Sequence, residues 1–399
     1  MTRVAIVGCG FPQVGLLKAA RALGLHVIGL DKNLEAVGAP LASELLEVST
    51  GDADAVAEAV RATGARAIAT TGSELALTTT TAVAARLGLP FYATPEVVHR
   101  CQAKDAMRAA YEAAGLPVPR FAAASTLARA ERFVAEVGLP VVVKPARGWG
   151  QRGVSRVERA DLLPRAFAEA AAISHGGAGV VLEEVIVGRE VSVNGWVTDG
   201  ALEVFSVTDR EVFAGDRPLG VMRSEVCPSE RTDDEVARAI DAATRAQRAL
   251  GLTRGPCYTQ VCVTSNGAVV FETAARCGGG FDADVTRLVS GVDLYRRTLG
   301  VALGDAALER EGAAHERHAA ALVRFLAPPE GVARSVEGVE AARACDGVVD
   351  AALYPRPGQR LHGLVNAASR MGHLLVVGAS RAQAVLRADA AERCLRVEV

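Results

Sequence analysis

"PVVVKPARGWGQRGV", Pro140 to Val154, decides how the chain is read. Four apolar or ring residues lead into Lys144, and Gly148, Gly150 and Gly153 follow in a basic loop. A strand that ends on an ammonium and enters a glycine turn lets backbone N–H groups approach an anion closely. Lys144 supplies a compact charge, and Arg147 or Arg152 would add more. No G-K-[S/T] closes the loop, so it is not a Walker A turn. A flexible hairpin tip is the other reading of the same residues.

Working outward, the chain has 399 residues, half of them hydrophobic, enough for two to four domains. Its net charge is −2 and its pI about 6.4, which gives no sign of a nucleic-acid or membrane surface. Eight cysteines form no C-x-x-C pair and no His/Cys cluster. A reducing, cytoplasmic setting is expected. The start, "MTRVAIVGCGFPQVG", reads as a first strand and not a signal peptide. No apolar run reaches the ~18 residues of a membrane span. Of 44 basic residues only four are lysines, Lys18, Lys32, Lys104 and Lys144. The rest are arginine, so each lysine is a place where a small mobile ammonium is candidate chemistry.

Strands alternate with helices through about residue 100: "RVAIVGCG", "HVIGLD" and "ARAIATTG" against three helical segments. That pattern argues a doubly wound parallel α/β unit. "QAKDAMRAAYEAAG" is a helix carrying Lys104, and "DLLPRAFAEAAAIS" a helix with Pro164 in its first turn. "GVVLEEVIVGREVSVNGWV" and "ALEVFSV" read as strands, antiparallel where a T-D-G turn joins them. From about His318 a smaller α+β segment follows.

Two further motifs carry chemistry. Gly8, Gly10 and Gly15 follow a strand, and Asp31 ends the next, as in a dinucleotide fingerprint. The spacing is G-x-G-x-x-x-x-G with Pro12 inside, so tight packing of a βα turn is the preferred reading over NAD binding. In "CYTQVCVTSNGAVVFETAAR" an Asn266-Gly267 turn joins two strands. A strict two-residue turn sets Gln260 opposite Thr273, with Gln260 and Glu272 on opposite faces. A three-residue Ser-Asn-Gly loop pairs Thr264 with Ala268 and sets Gln260 opposite Glu272. Oxygen ligands meeting there suit Mg²⁺, and Arg276 falls on the same face.

These pieces, in this order, resemble the ATP-grasp superfamily over residues 1–399. The resemblance implies an α/β pre-ATP-grasp domain at 1–100 with a doubly wound parallel sheet. A small α+β subdomain with the glycine loop follows at 101–186, a large α+β subdomain with the metal hairpin at 187–317, and a C-terminal α+β domain at 318–399. It implies ATP and Mg²⁺ as cofactors. Lys104 and Lys144 would flank the phosphates, and the loop of Gly148, Trp149, Gly150, Gln151 and Gly153 would close over them. Glu183, Glu184, Val185 and Ile186 would form the adenine hinge, with Glu190 on the ribose. Gln260 and Glu272 would hold the metal, and Arg276, with Lys144, would be the catalytic charge. "FETAARCGGG" departs from the usual E-x-N-x-R at Ala274, whose methyl cannot ligate metal.

The implied activity is an ADP-forming ligase that activates a carboxylate as an acyl phosphate and joins it to an amine. An amino acid or small peptide is the expected carboxylate, with Arg210, Arg217, Arg223, Arg276, Gly278 and Gly279 on the substrate side. The partners expected are small molecules, with neither nucleic acid nor membrane, and a homodimer by analogy with relatives. A purine-pathway-like enzyme using bicarbonate or formate, and a non-catalytic nucleotide sensor, are the alternatives.

Overall fold

The computed structural model describes residues 1–214, 219–311 and 316–399. Its first 90 residues form a parallel sheet in the order β3-β2-β1-β4, from β1 (Arg3–Val7), β2 (His26–Asp31), β3 (Glu44–Glu47) and β4 (Ala67–Ala69). The central strands are apolar on both faces because helices cover both. These are α1 (Val14–Ala22), α2 (Ala53–Thr63) and α3 (Glu74–Leu87). Asp52 caps α2 and Ser73 caps α3, and glycines at 64 and 88 close both helices in the left-handed conformation. This is the expected doubly wound unit.

Helix α4 (Pro95–Gln102) leads to α5 (Lys104–Ala113), with extended Ala103 between them. The sequence reading ran these together from Gln102. The small subdomain is an antiparallel sheet of order β5-β8-β6-β7. It comprises β5 (Phe121–Ala124), β6 (Val141–Pro145), β7 (Ser155–Val157) and β8 (Val180–Glu184). Helices α6 (Leu127–Val137) and α7 (Leu163–Ile173) pack their apolar faces on it, and Pro164 does sit in the first turn of α7.

An eight-stranded sheet dominates the rest, beside two short two-stranded ones. Its strands are β9 (Arg189–Thr198), β10 (Ala201–Val212), β11 (Met222–Cys227), β12 (Gly255–Thr264), β13 (Gly267–Ala274), β14 (Ala320–Leu326), β15 (Val348–Leu353) and β16 (Gly372–Gly378). The order is β13-β12-β9-β10-β11-β14-β16-β15. Strands from 187–317 and from 318–399 therefore share one sheet, joined where β11 pairs β14. Helix α8 (Asp233–Ala249), opened by a Thr232/Glu235 capping box, covers one face, and α9 (Asp282–Ser290) and α10 (Leu294–Leu303) lie near the other side. Among the described residues no helix is long and apolar enough to cross a membrane.

The N-terminal glycine turn is a packing device. The Asp31 carboxylate accepts from Cys9 N–H at 2.8 Å, so it braces the turn itself. Gly15 lies against Tyr295 of α10: a Cβ there would sit 2.3 Å from the ring. Leu16 and Leu17 join Leu294, Tyr295 and Leu299 in one hydrophobic cluster, which fixes the N-terminal unit to the core. Replacing Gly15 with alanine would force a buried ring to shift, at a cost of about 1–3 kcal/mol. Urea unfolding of Gly15→Ala should show that loss. An unchanged midpoint would mean that the two units do not press on each other at this point.

Candidate functional site

The glycine loop leaves β6 at Pro145 and is held at its base. Lys104, the first residue of α5, donates from Nζ to Gly148 O at 2.7 Å, and its backbone N–H donates to Ala146 O. Gly150 and Gly153 have φ of +70° and +66°, and Gln151 joins them at +56°. Only glycine accepts such values freely, so the tight turn is built into the sequence. Trp149 stacks on His175 with ring centroids 4.4 Å apart, so its indole is committed to the small subdomain. Arg147 meets the His99 ring at 2.7 Å, and Arg152 is exposed.

Below the loop lies a buried ion cluster. Lys144 Nζ donates to Glu183 Oε2 at 2.6 Å, and Arg108 Nε donates to Glu183 Oε1 at 2.8 Å. Burial pushes the Lys144 ammonium down to about 8 despite Glu183, with Arg108 and Lys104 adding to the depression. Burial alone would raise the Glu183 carboxyl, but Arg108 and Lys144 hold it at about 2. One carboxylate thus serves two cations, and Lys144 is the cation with charge to spare. The Glu183 side chain belongs to this cluster and does not project from the hinge. Glu184 pairs outward with Arg120 at 2.9 Å. Val185 and Ile186 follow β8 as partly buried residues outside any strand, between β8 and β9.

The hairpin brings Gln260 directly opposite Glu272, but by a different route from the one expected. Thr264 pairs with Gly267 across a two-residue Ser265-Asn266 loop, and no three-residue loop forms. The register then shifts at a β-bulge. Val261 faces Val270 and Gln260 faces Glu272, which leaves Phe271 as the extra residue. Arg108 fills the gap left in the ladder: Nη1 and Nη2 donate to Val270 O and Phe271 O at 3.2 and 3.0 Å.

Directly opposed antiparallel residues share a face, so Glu272, Gln260, Ser192 and Glu190 line one side of the large sheet, with Arg210 and Glu225 beyond. Glu190 Oε2 takes both Arg210 Nη1, at 2.5 Å, and Gln260 Nε2, at 2.7 Å. The Gln260 amide is thereby aimed at Glu190, away from a purely metal-facing pose. Arg210 also donates to Gly220 O, so this buried guanidinium braces the sheet; it is not a free substrate grip. Arg223 is exposed, and Arg217 lies outside the described residues. Ala274 is buried opposite Tyr258, and among the described residues no group of three His, Cys, Asp or Glu side chains could hold a metal by itself.

Arg276 is buried beside these groups. Its Nη2 lies 2.6 Å from Glu74 Oε1 and 3.9 Å from Glu272 Oε1, and its guanidinium sits over the Tyr258 ring. Burial would lower its basicity, but Glu74 and Glu272 outweigh that and raise it. Gln102 Nε2 braces Glu74 at 2.9 Å. Deeper in, Glu225 accepts from Ser192 Oγ at 2.6 Å. Burial and the neighbouring Asp282 carboxyl hold Glu225 well above the carboxylate range. Arg370, from the C-terminal segment, is pushed down to about 10 by burial and stays cationic at neutral pH. Gly278 and Gly279 border a cavity of about 200 Å³ with Phe11, Lys18, Asp284 and Asp350. A side chain at Gly278 would strike Asp282, which explains the small residue there.

Arg108, Glu74 and the Glu225–Asp282 pair escaped sequence reading. Only Arg108 left a trace, since it stands four residues after Lys104 and so one helical turn along the same face.

Comparison with known proteins agrees with this layout. Residues 103–310 match the family described as carbamoyl-phosphate synthase L chain, ATP binding domain, and residues 324–399 match L-amino acid ligase C-terminal domain 2. The uncharacterized protein y4rH of Sinorhizobium fredii is 32% identical over 296 residues, 73% of this chain and 59% of that protein. The chain therefore spans well under two thirds of that relative's length. The L-amino acid ligase of Bacillus licheniformis has the same fold, with a TM-score of 0.81 at 20% identity over 100% of this chain and 98% of that one. Phosphoribosylglycinamide synthetase of Anaerococcus prevotii follows at 0.77 and 19%, over 100% and 99%. With more than half its length matched by one family model, the chain belongs to the ATP-grasp superfamily, in the family of the carbamoyl-phosphate synthase L-chain ATP-binding domain.

Proposed function

We propose that the protein is an ATP-dependent, ADP-forming ligase that joins the carboxylate of an amino acid or small peptide to an amine. The observation that carries this reading is the buried Arg276–Glu74 pair beside Glu272. A guanidinium next to a carboxylate matches the two charges of an amino acid, and the neighbouring Glu272 keeps the phosphoryl side within reach. The match of residues 324–399 to an L-amino acid ligase domain supports the same substrate class.

On this reading Lys144 and Lys104 neutralise phosphate oxygens, and the glycine loop supplies backbone N–H groups around them. The donor set fits Mg²⁺, which needs only one or two protein oxygens when phosphates and water complete its shell. Glu272, with a side chain 38% exposed, would hold it, with Gln260 as the nearest second donor. When bound, the metal would neutralise charge on the transferring phosphoryl group. Arg276 would steady the carboxylate while its oxygen takes that group, and then the acyl phosphate while the amine displaces phosphate. The buried setting keeps water from the acyl phosphate. Ala274 gives no ligand, so a second ion would rest on phosphate and water.

ATP consumption with magnesium, against amino acids singly and in pairs, tests the reaction. ADP and phosphate should appear only when a carboxylate and an amine are both present. Arg276→Met and Glu272→Gln should each cut turnover by roughly 10²–10³-fold. ADP-raised melting temperature with no turnover across the panel would leave a nucleotide sensor in place of a ligase. Nucleotide affinity should also depend on Lys144. A phosphate favours the ammonium, and the free group titrates at about 8. ADP affinity should therefore be flat below pH 8 and fall as pH rises above it. In Lys144→Arg, which stays charged, that fall should vanish. A wild-type affinity that is level from pH 7 to 9.5 would remove Lys144 from the phosphates.

A further inference from the structure

Arg108 touches neither the glycine loop nor the exposed part of the cleft, yet it is fully buried and its donors are divided between two sheets. Nε serves Glu183 of β8 in the small subdomain, while Nη1 and Nη2 serve Val270 O and Phe271 O of β13 in the large sheet. Those carbonyls belong to the bulge that changes the hairpin register. Toward the hairpin tip, residue numbers of opposed pairs sum to 531 (264 + 267); beyond the bulge they sum to 532 (260 + 272). If the first register continued, Gln260 would face Phe271, and Glu272 would turn to the other side of the sheet. The alignment of Gln260 with Glu272 thus exists because of the bulge, and the bulge carbonyls are bonded by Arg108.

We infer that Arg108 is a positioning residue: its planar fork holds the β13 bulge, keeps Glu272 on the cleft face, and ties that metal-side carboxylate to the Glu183–Lys144 pair on the phosphate side. Only guanidinium fits the role. Lysine is a point charge on a flexible stem and could keep Glu183 or the carbonyls, but not all three acceptors in a fixed plane. The same fork reads directly onto α5. Lys104 at the start of the helix holds the loop at Gly148, and one turn later Arg108 holds the bulge.

The inference rests on the proposed ATP and magnesium site, and the test separates the two. ADP binding to the full chain is measured by calorimetry with and without MgCl₂. In the wild type, magnesium should tighten ADP binding. In Arg108→Lys, ADP affinity without magnesium should stay within about threefold of wild type, while the tightening by magnesium should fall by about tenfold. A general loosening would instead weaken ADP equally in both conditions, and that result overturns the inference, as does full retention of the magnesium effect. If the wild type itself shows no magnesium effect, the site reading fails and takes the inference with it. Deleting Phe271 gives a second handle, and one that does not depend on Arg108→Lys folding well. It makes the register continuous with Gln260 still opposite Glu272, so adding Arg108→Lys to the deletion should cost little of the magnesium effect. A double variant that loses as much as Arg108→Lys alone would show that Arg108 does not act through the bulge.

Discussion

One buried carboxylate, Glu183, meets two cations that reach it from different parts of the chain, Lys144 from the neighbouring strand and Arg108 from α5. Burying three charges is costly, and the arrangement persists only because each is bonded in good geometry. Removing the carboxylate would leave two uncompensated cations, a change that costs about 3–5 kcal/mol in comparable buried pairs. Burial lowers the Lys144 ammonium to about 8, and Arg108 and Lys104 add to that against the pull of Glu183. On the proposed function, a phosphate oxygen would be its second partner beside Glu183.

The same logic continues along the inner face of the large sheet. Two polar groups lie along it: Glu272, Arg276 and Glu74 in one, and Gln260, Glu190 and Arg210 in the other. Glu74 and Glu190 each have a guanidinium within bonding distance, and Glu272 stands 3.9 Å from Arg276. Glu225 and Asp282 are the exception. Two carboxyl groups share one buried spot, and the cheapest solution is for Glu225 to keep its proton. It then sits as a neutral acid against Ser192, with Arg210 near enough to soften the cost.

Much of this was legible in the sequence, and the boundary between what was and was not is physical. Parallel strands buried on both faces read as apolar runs, and helical segments alternate with them, so the N-terminal unit and its helices could be placed. Lys104, Lys144 and Arg276 stood out because lysine is scarce and the motifs have fixed order. The dinucleotide-like glycines were correctly read as packing, since their spacing is wrong for a cofactor and Gly15 is needed by Tyr295. What stayed hidden depends on long-range contact. Glu74 is an ordinary N-terminal helix acid until Arg276, two hundred residues later, is brought to it. The sequence reading sets Arg210 on the substrate side and Glu190 on the ribose, yet the sheet brings the two into contact.

The hairpin shows why a correct pairing can be reached by an incorrect turn. From sequence, only the loop length is free to adjust, and of the two turns weighed the three-residue one sets Gln260 opposite Glu272. The chain keeps a two-residue turn and places its extra residue three positions beyond Ala268, inward along the strand at Phe271. A bulge inside a ladder leaves carbonyls without partners, and buried carbonyls without partners are expensive, at about 1–3 kcal/mol each. It is therefore stable only where another group supplies donors. That donor is Arg108, 162 residues away from Val270, and no pattern confined to the hairpin could have announced it. The register of β13 is consequently a tertiary property: the hairpin is shaped by α5, and the residues that face the cleft are chosen by a contact that lies beneath it.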